Sequence, residues 1–239
     1  MMIQERDRNA LRRLFSEQLV HPVRLTLFTQ DQTSQEPPLH TPCPFCTDTV
    51  SLVQELAELS DAITVDIRDF LLARDLVQAR GVNEIPALLV GGDGDARVRF
   101  FGVPAGYEFP SLVEDIVDVS RKTTRLAPRT KERVAKLSTD VHIQVFVTPT
   151  CPFCPRAVRL AHGMAMESPR IRADAIEATE FPHLARKYGV MGVPKVVINE
   201  TTAFEGAIPE SAFLLYLLKA SDSLTPEEQV KFDALQPSH

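Results

Sequence analysis

The chain is 239 residues long, with 44% hydrophobic and 24% charged residues, a balance that supports a packed core and lies far from the composition of disordered chains. A formal net charge of −6 provides no positive field to hold a polyanion, so nucleic acid is not an expected partner. No apolar run reaches the roughly 18–20 residues that span a bilayer, and the opening MMIQERDRNALRRLF has no apolar signal core; a cytoplasmic protein without membrane contact is expected.

A charged amphipathic helix is expected over residues 4–19. Val23, Leu25 and Leu27 then alternate with polar residues, the period of a strand. A loop that includes residues 33–38 leads to Cys43-Pro44-Phe45-Cys46. Behind it Val50, Val53, Leu56 and Leu59 recur at helical spacing. A second strand (62–67) and a helix follow, the helix stopped by Gly81, a residue suited to a left-handed C-cap. The strand Ala87–Val90 starts just after Pro86, with a partner strand at 97–101 and a closing helix. The polar stretch 121–129 separates an expected domain 1–124 from a second, 125–239. There the series runs again: a helix at 130–137, a strand through Val141, Ile143, Val145 and Val147, and the motif Cys151-Pro152-Phe153-Cys154. A helix through Val158, Ala161, Met164 and Ala165 comes next, then a strand at 171–176, a helix stopped by Gly189, Pro194, the strand Lys195–Ile198, a partner at 202–204 and a closing helix.

The two series are copies. Cys43 to Cys151, Gly81 to Gly189 and Pro86 to Pro194 are each 108 residues apart, and the offset changes only where loops such as Gly91–Asp95 are expected. Strands alternating with helices indicate an α/β fold. Each copy accounts for a four-stranded mixed sheet flanked by helices on both faces.

All four cysteines fall in the two Cys-Pro-Phe-Cys motifs. In a cytosolic chain such pairs bind metal or exchange electrons more often than they brace a fold. A zinc site remains an alternative, but 104 residues separate the motifs, far beyond the spacing of ordinary knuckles. A strand that ends in Cys-x-x-Cys at a helix mouth favours a thiolate, the form that attacks a disulfide. Lowering a thiol pKa by about two units takes roughly 2.7 kcal/mol, whereas a helix terminus supplies about 0.3–1. The remainder is expected from amides of Phe45 and Cys46, or Phe153 and Cys154, directed at sulfur. Cys43 and Cys151 are thus expected to be exposed nucleophiles, and Cys46 and Cys154 the resolving thiols one turn deeper. Pro44 and Pro152 set φ at the turn, and Phe45 and Phe153 are expected to shield the disulfide. No nucleotide site is expected, because no Gly-x-Gly-x-x-Gly occurs, and electron exchange rather than a metal site is expected of the cysteines.

A proline before a buried strand in both copies marks a special turn. Gly-Val-x-x-Ile-Pro at 81–86 and Leu-Ala-Arg-Lys-Tyr-Gly-Val-Met-Gly-Val-Pro at 184–194, each downstream of Cys-Pro-Phe-Cys, resemble the thioredoxin and glutaredoxin superfamily. The tandem arrangement with two intact dithiols resembles the protein disulfide oxidoreductases, built from two thioredoxin folds. That resemblance implies cis prolines at Pro86 and Pro194 lying against the disulfides, and Ile85 and Val193 pairing with the substrate backbone. It further implies reduction, formation or rearrangement of protein disulfides, with electrons from a thioredoxin reductase-like flavoprotein fuelled by NAD(P)H and no cofactor bound by this chain. A monomer acting on proteins with disulfides or thiols is expected. The chain departs from thioredoxins in having no tryptophan, and Val145 stands where their buried acid would be. Glu205-Gly206-Ala207 replaces the glutathione-holding turn of glutaredoxins.

His40 and His162 are expected on loops or the surface, with assistance to Cys43 as a base or electrostatic partner as the alternative for His40. Asp66 and Asp174, also 108 apart, read as strand acids in water, with proton transfer to the thiols as the alternative. Other readings of the whole chain are an electron donor to a peroxidase, since the double-thioredoxin module of alkyl hydroperoxide reductase flavoproteins is similar, and a chaperone-like binding module.

Overall fold

The computed structural model describes residues 2–30, 43–91 and 96–235. His40, Pro42 and the loop at 33–38 lie outside the described residues, as do residues 92–95. Residues 1–104 with 113–122 form one compact unit, and 105–112 with 123–239 form another. The expected division at 124–125 differs from this mainly in the short segment 105–112, which groups with the second unit.

The first unit contains α1 (Glu5–Gln18), β1 (Val23–Thr29), α2 (Cys46–Ala57), β2 (Ile63–Asp69), α3 (Arg74–Arg80), β3 (Ala87–Gly91), β4 (Val98–Phe101) and most of α4 (Glu108–Arg121). Its strands lie in the order β2-β1-β3-β4. β1 runs parallel to β2 and antiparallel to β3, which is antiparallel to β4. The second unit contains α5 (Pro128–Ala135), β5 (Val141–Val147), α6 (Cys154–Glu167), β6 (Ile171–Glu177), α7 (Pro182–Lys187), β7 (Lys195–Ile198), β8 (Thr202–Glu205), α8 (Glu210–Ala220) and α9 (Pro226–Asp233). Its order, β6-β5-β7-β8, and its strand directions repeat the first.

Leu27 and Phe28 are wholly buried, as are Val145 and Phe146. Neighbouring residues of a strand point to opposite faces, so both faces of each central strand are covered. Each such side chain contributes roughly 1.5–3 kcal/mol by leaving water, which makes β1 and β5 rigid mounts for whatever follows them.

Charged groups fasten the flanking helices. Arg8 on α1 is buried and reaches Glu55 on α2 at 3.2 Å and Glu58, at the C-cap of α2, at 2.8 Å. Burial pushes Glu55 up, but the Met2 and Ile3 amides and Arg8 outweigh it, leaving its pKa lowered. Arg133 on α5 reaches Glu228 on α9 at 2.7 Å. The α9 helix lies in the tail, beyond the elements that periodicity marks. Its capping box is legible in the sequence nonetheless: Thr225 and Glu228 bond reciprocally to each other's amides.

Candidate active site

Sheet register brings each motif and its proline together. Phe28 pairs with Ala87, and Phe146 with Lys195. Because β3 and β7 run antiparallel to the central strands, Pro86 and Pro194 stand at the sheet end where β1 and β5 hand over to the cysteine loops. The Ile85–Pro86 and Val193–Pro194 bonds are both cis. The Pro86 and Pro194 carbonyls accept hydrogen bonds from Gly102 N at 2.9 Å and Gly206 N at 2.8 Å, respectively. The helix before each proline is closed at its carbonyl end by a cation. Arg99 Nη1 donates to Arg80 O at 2.8 Å in one unit, and Lys195 Nζ donates to Gly189 O at 2.9 Å in the other.

Cys43 is bonded to Cys46 and Cys151 to Cys154, each pair with Cα atoms 5.5 Å apart. The helices begin at the second cysteine of each pair, with Phe45 and Phe153 as N-caps. The Cys154 amide donates to Cys151 Sγ at 3.1 Å, and Val193 O lies 3.7 Å from the same sulfur. An amide at a helix start directed at sulfur stabilises negative charge there.

One expectation needs correction. Cys43 and Cys151 are buried rather than exposed, at 5% and 7%, although they remain more accessible than Cys46 at 1% and Cys154 at 0%. Phe45 and Phe153 are 39% and 67% exposed, beside cysteines that take the buried positions at each helix mouth. Met191, two residues before Val193, is exposed as well.

The second motif has a neighbour that sequence order does not suggest. Tyr107 N donates to Pro149 O at 3.0 Å, and Glu108 N to Ala105 O at 3.1 Å, which sets the turn 105–108 against the loop that leads to Cys151. Glu108 is buried, and burial pushes its pKa up to about 6, with Ser111 and His162 pulling it only partly back. An acid in the first turn of an amphipathic helix reads as a surface residue favoured by the dipole, so its pattern points away from the interior.

His162 is wholly buried on α6, not on the surface: from Ala157 to Glu167 no residue of α6 is exposed. Asp174 is buried and lies 2.6 Å from His142 Nε2, which corrects its reading as an acid in water. Asp66 pairs with Arg68 at 2.7 Å and is half-buried.

A thioredoxin-domain family profile matches residues 141–219. A solved structure of a protein disulfide oxidoreductase from Aeropyrum pernix k1 aligns with a TM-score of 0.82 at 34% identity, over 93% of this chain and 95% of that one. The chain belongs to the protein disulfide oxidoreductase family. The alignment covers both units, so each shares the fold of that solved structure. The N-terminal domain of an alkylhydroperoxide reductase from Enterococcus faecalis shares the fold, with a TM-score of 0.79 at 22% identity over 90% of this chain and 99% of that one. Among curated relatives, an NADH dehydrogenase of Bacillus subtilis is 26% identical over 79% of this chain and 35% of its own length. An alkyl hydroperoxide reductase component of Escherichia coli is 27% identical over 77% and 33%. The chain thus spans about a third of the length of these curated relatives. Among its described residues no helix is long and apolar enough to cross a membrane.

Proposed function

We propose that the protein reduces, forms or rearranges disulfides of client proteins by dithiol–disulfide exchange at both motifs. In the reductive direction the Cys151 thiolate attacks one sulfur of a client disulfide, forming a mixed disulfide and releasing one client thiolate. Cys154, as thiolate, then attacks Cys151 Sγ, which closes the 151–154 disulfide and releases the second client thiolate; two electrons have passed to the client. Cys43 and Cys46 carry out the same steps in the first unit. Ile85 with Pro86, and Val193 with Pro194, receive the client backbone beside the sulfur. The prolines Pro44 and Pro152 shape the turn, and exposed Phe45, Phe153 and Met191 offer apolar contact to the client. The observation that carries this reading is the Cys154 amide directed at Cys151 Sγ next to the carbonyl preceding a cis proline.

Glu108 closes the turn 105–108 that meets the loop leading to Cys151, and its pKa of about 6 suits a proton acceptor for the second dithiol. A flavoprotein of the thioredoxin reductase type, supplied by NAD(P)H, restores the dithiols, and the chain works in the cytoplasm as a monomer. The test is reduction of insulin disulfides by wild type, Cys43→Ser and Cys151→Ser. Each variant should lose the turnover of its own site; wild-type turnover in both would overturn the assignment of nucleophiles.

Similarity to the alkyl hydroperoxide reductase of Escherichia coli favours a second reading, electron delivery to a peroxidase. A client peroxiredoxin reduced at least tenfold faster than insulin at equal concentration would select that reading.

A further inference from the structure

The loop that delivers Cys151 is a single tight turn. Cys151 N donates to Thr148 O at 3.1 Å, which places Pro149 at the second position, the one proline prefers. The Pro149 carbonyl belongs to the central peptide of that turn, the plane whose rotation distinguishes one turn type from another. Tyr107 N holds that carbonyl. Tyr107 can reach it because Gly106 has φ +59° and no side chain: a Cβ there would lie 2.2 Å from Pro149 O and 2.9 Å from its carbonyl carbon. Backbone cannot yield as a flexible side chain would. A positive φ at this position of a turn already favours glycine or asparagine. The contact with Pro149 excludes asparagine as well.

We propose that Gly106 is a positioning residue for the second dithiol: the turn it permits holds the Pro149 carbonyl, and so fixes the loop that keeps Cys151 Sγ at the Cys154 amide. This rests on the reading of Cys151 as the nucleophile. The first dithiol, in the same molecule, serves as an internal reference.

The test measures alkylation of each cysteine by iodoacetamide as a function of pH in the reduced full-length protein, resolved by peptide mass. Wild-type Cys151 should react at neutral pH well ahead of Cys154; failure of that order refutes the nucleophile assignment itself, independently of Gly106. In Gly106→Ala and Gly106→Asn the Cys151 profile should move to higher pH and its rate at pH 7 fall roughly tenfold, about 1.4 kcal/mol, while Cys43 keeps its wild-type profile. Gly189→Asn is the control for backbone strain, since Gly189 has φ +59° and a Cβ added there would meet only Lys195 Nζ, at 4.0 Å; it should leave Cys151 unchanged. Restoration by asparagine at 106, an unchanged Cys151 profile, or an equal shift at Cys43 would each overturn the proposal. Should neither Gly106 variant fold, amide hydrogen exchange of wild type decides: Tyr107 should be strongly protected, and exchange at the rate of an open turn would overturn the claim.

Discussion

The two dithiols share four residues, a parent strand, a helix start and a cis proline, yet the ground around them differs. Behind the first motif stands Thr47, and α2 is tied to α1 through Arg8 and two glutamates. Behind the second stands Pro155 in the first turn of α6. There the turn 105–108 presses on the motif loop, and Glu108 lies buried with a pKa of about 6. The more exposed N-cap ring also belongs to the second site. Duplication has kept the reacting atoms and varied what tunes them. A shared motif therefore does not imply equal reactivity, since a difference of about 30 mV between two such couples already amounts to about 1.4 kcal/mol.

The largest effects come from removing sulfur. Cys43→Ser and Cys151→Ser should each silence one site by on the order of a thousandfold or more. The insulin turnover left in each single variant then gives the share of the other site, and equal shares would erase the contrast drawn here. Cys46→Ser and Cys154→Ser should instead accumulate mixed disulfides with clients, visible on non-reducing gels. Different client sets trapped by the two variants would sharpen the contrast.

Next in size is Glu108→Gln. Its carboxyl has a folded-state pKa of about 6 against 4.5 for an unperturbed glutamate. The neutral form is therefore favoured in the fold, and that contribution is intact below pH 4.5 and lost as pH rises through 6. At 1.36 kcal/mol per unit, ionisation above pH 7 costs up to about 2 kcal/mol. Glutamine cannot ionise, so the variant should be the more stable protein at pH 8 in urea titrations and should show no such gain below pH 4.5. Its second-site turnover should fall and lose an inflection near pH 6, while first-site turnover stays unchanged. Greater stability with unaltered second-site kinetics would leave Glu108 a buried acid without a part in proton transfer.

The smallest effects concern the helix ties. Glu55 and Glu228 both have lowered pKa values: burial pushes each up, but backbone amides and arginine outweigh it. A lowered carboxyl pKa contributes stability above about pH 4.5 that fades as pH falls through the folded-state value. Arg8→Met and Arg133→Met should thus lower the melting temperature at pH 7 by a few degrees, with a smaller difference at pH 3.5. A deficit that does not shrink in acid would assign the loss to packing of the arginine stems rather than to charge.

The repeat, the order of elements and the pairing of each motif with its proline are legible in the sequence because they are local or strictly spaced. Alternating apolar residues mark β1 and β5, and the 108-residue offset carries Cys43 onto Cys151 and Pro86 onto Pro194. The Thr225–Glu228 capping box is just as local, although no apolar periodicity draws the eye to it. Exposure is less legible: a cysteine at a helix mouth reads as open, whereas the disulfide-bonded cysteines are buried beside exposed phenylalanines.

Sequence alone determined the chemistry, since two Cys-Pro-Phe-Cys motifs at strand ends admit few uses and their local geometry follows from the neighbouring residues. Only the tertiary structure brought residues 105–108 to Pro149, buried Glu108 and His162, and set Asp174 against His142. Such encounters join segments tens of residues apart. They depend on how packed elements fill shared space, which no periodicity within either segment records.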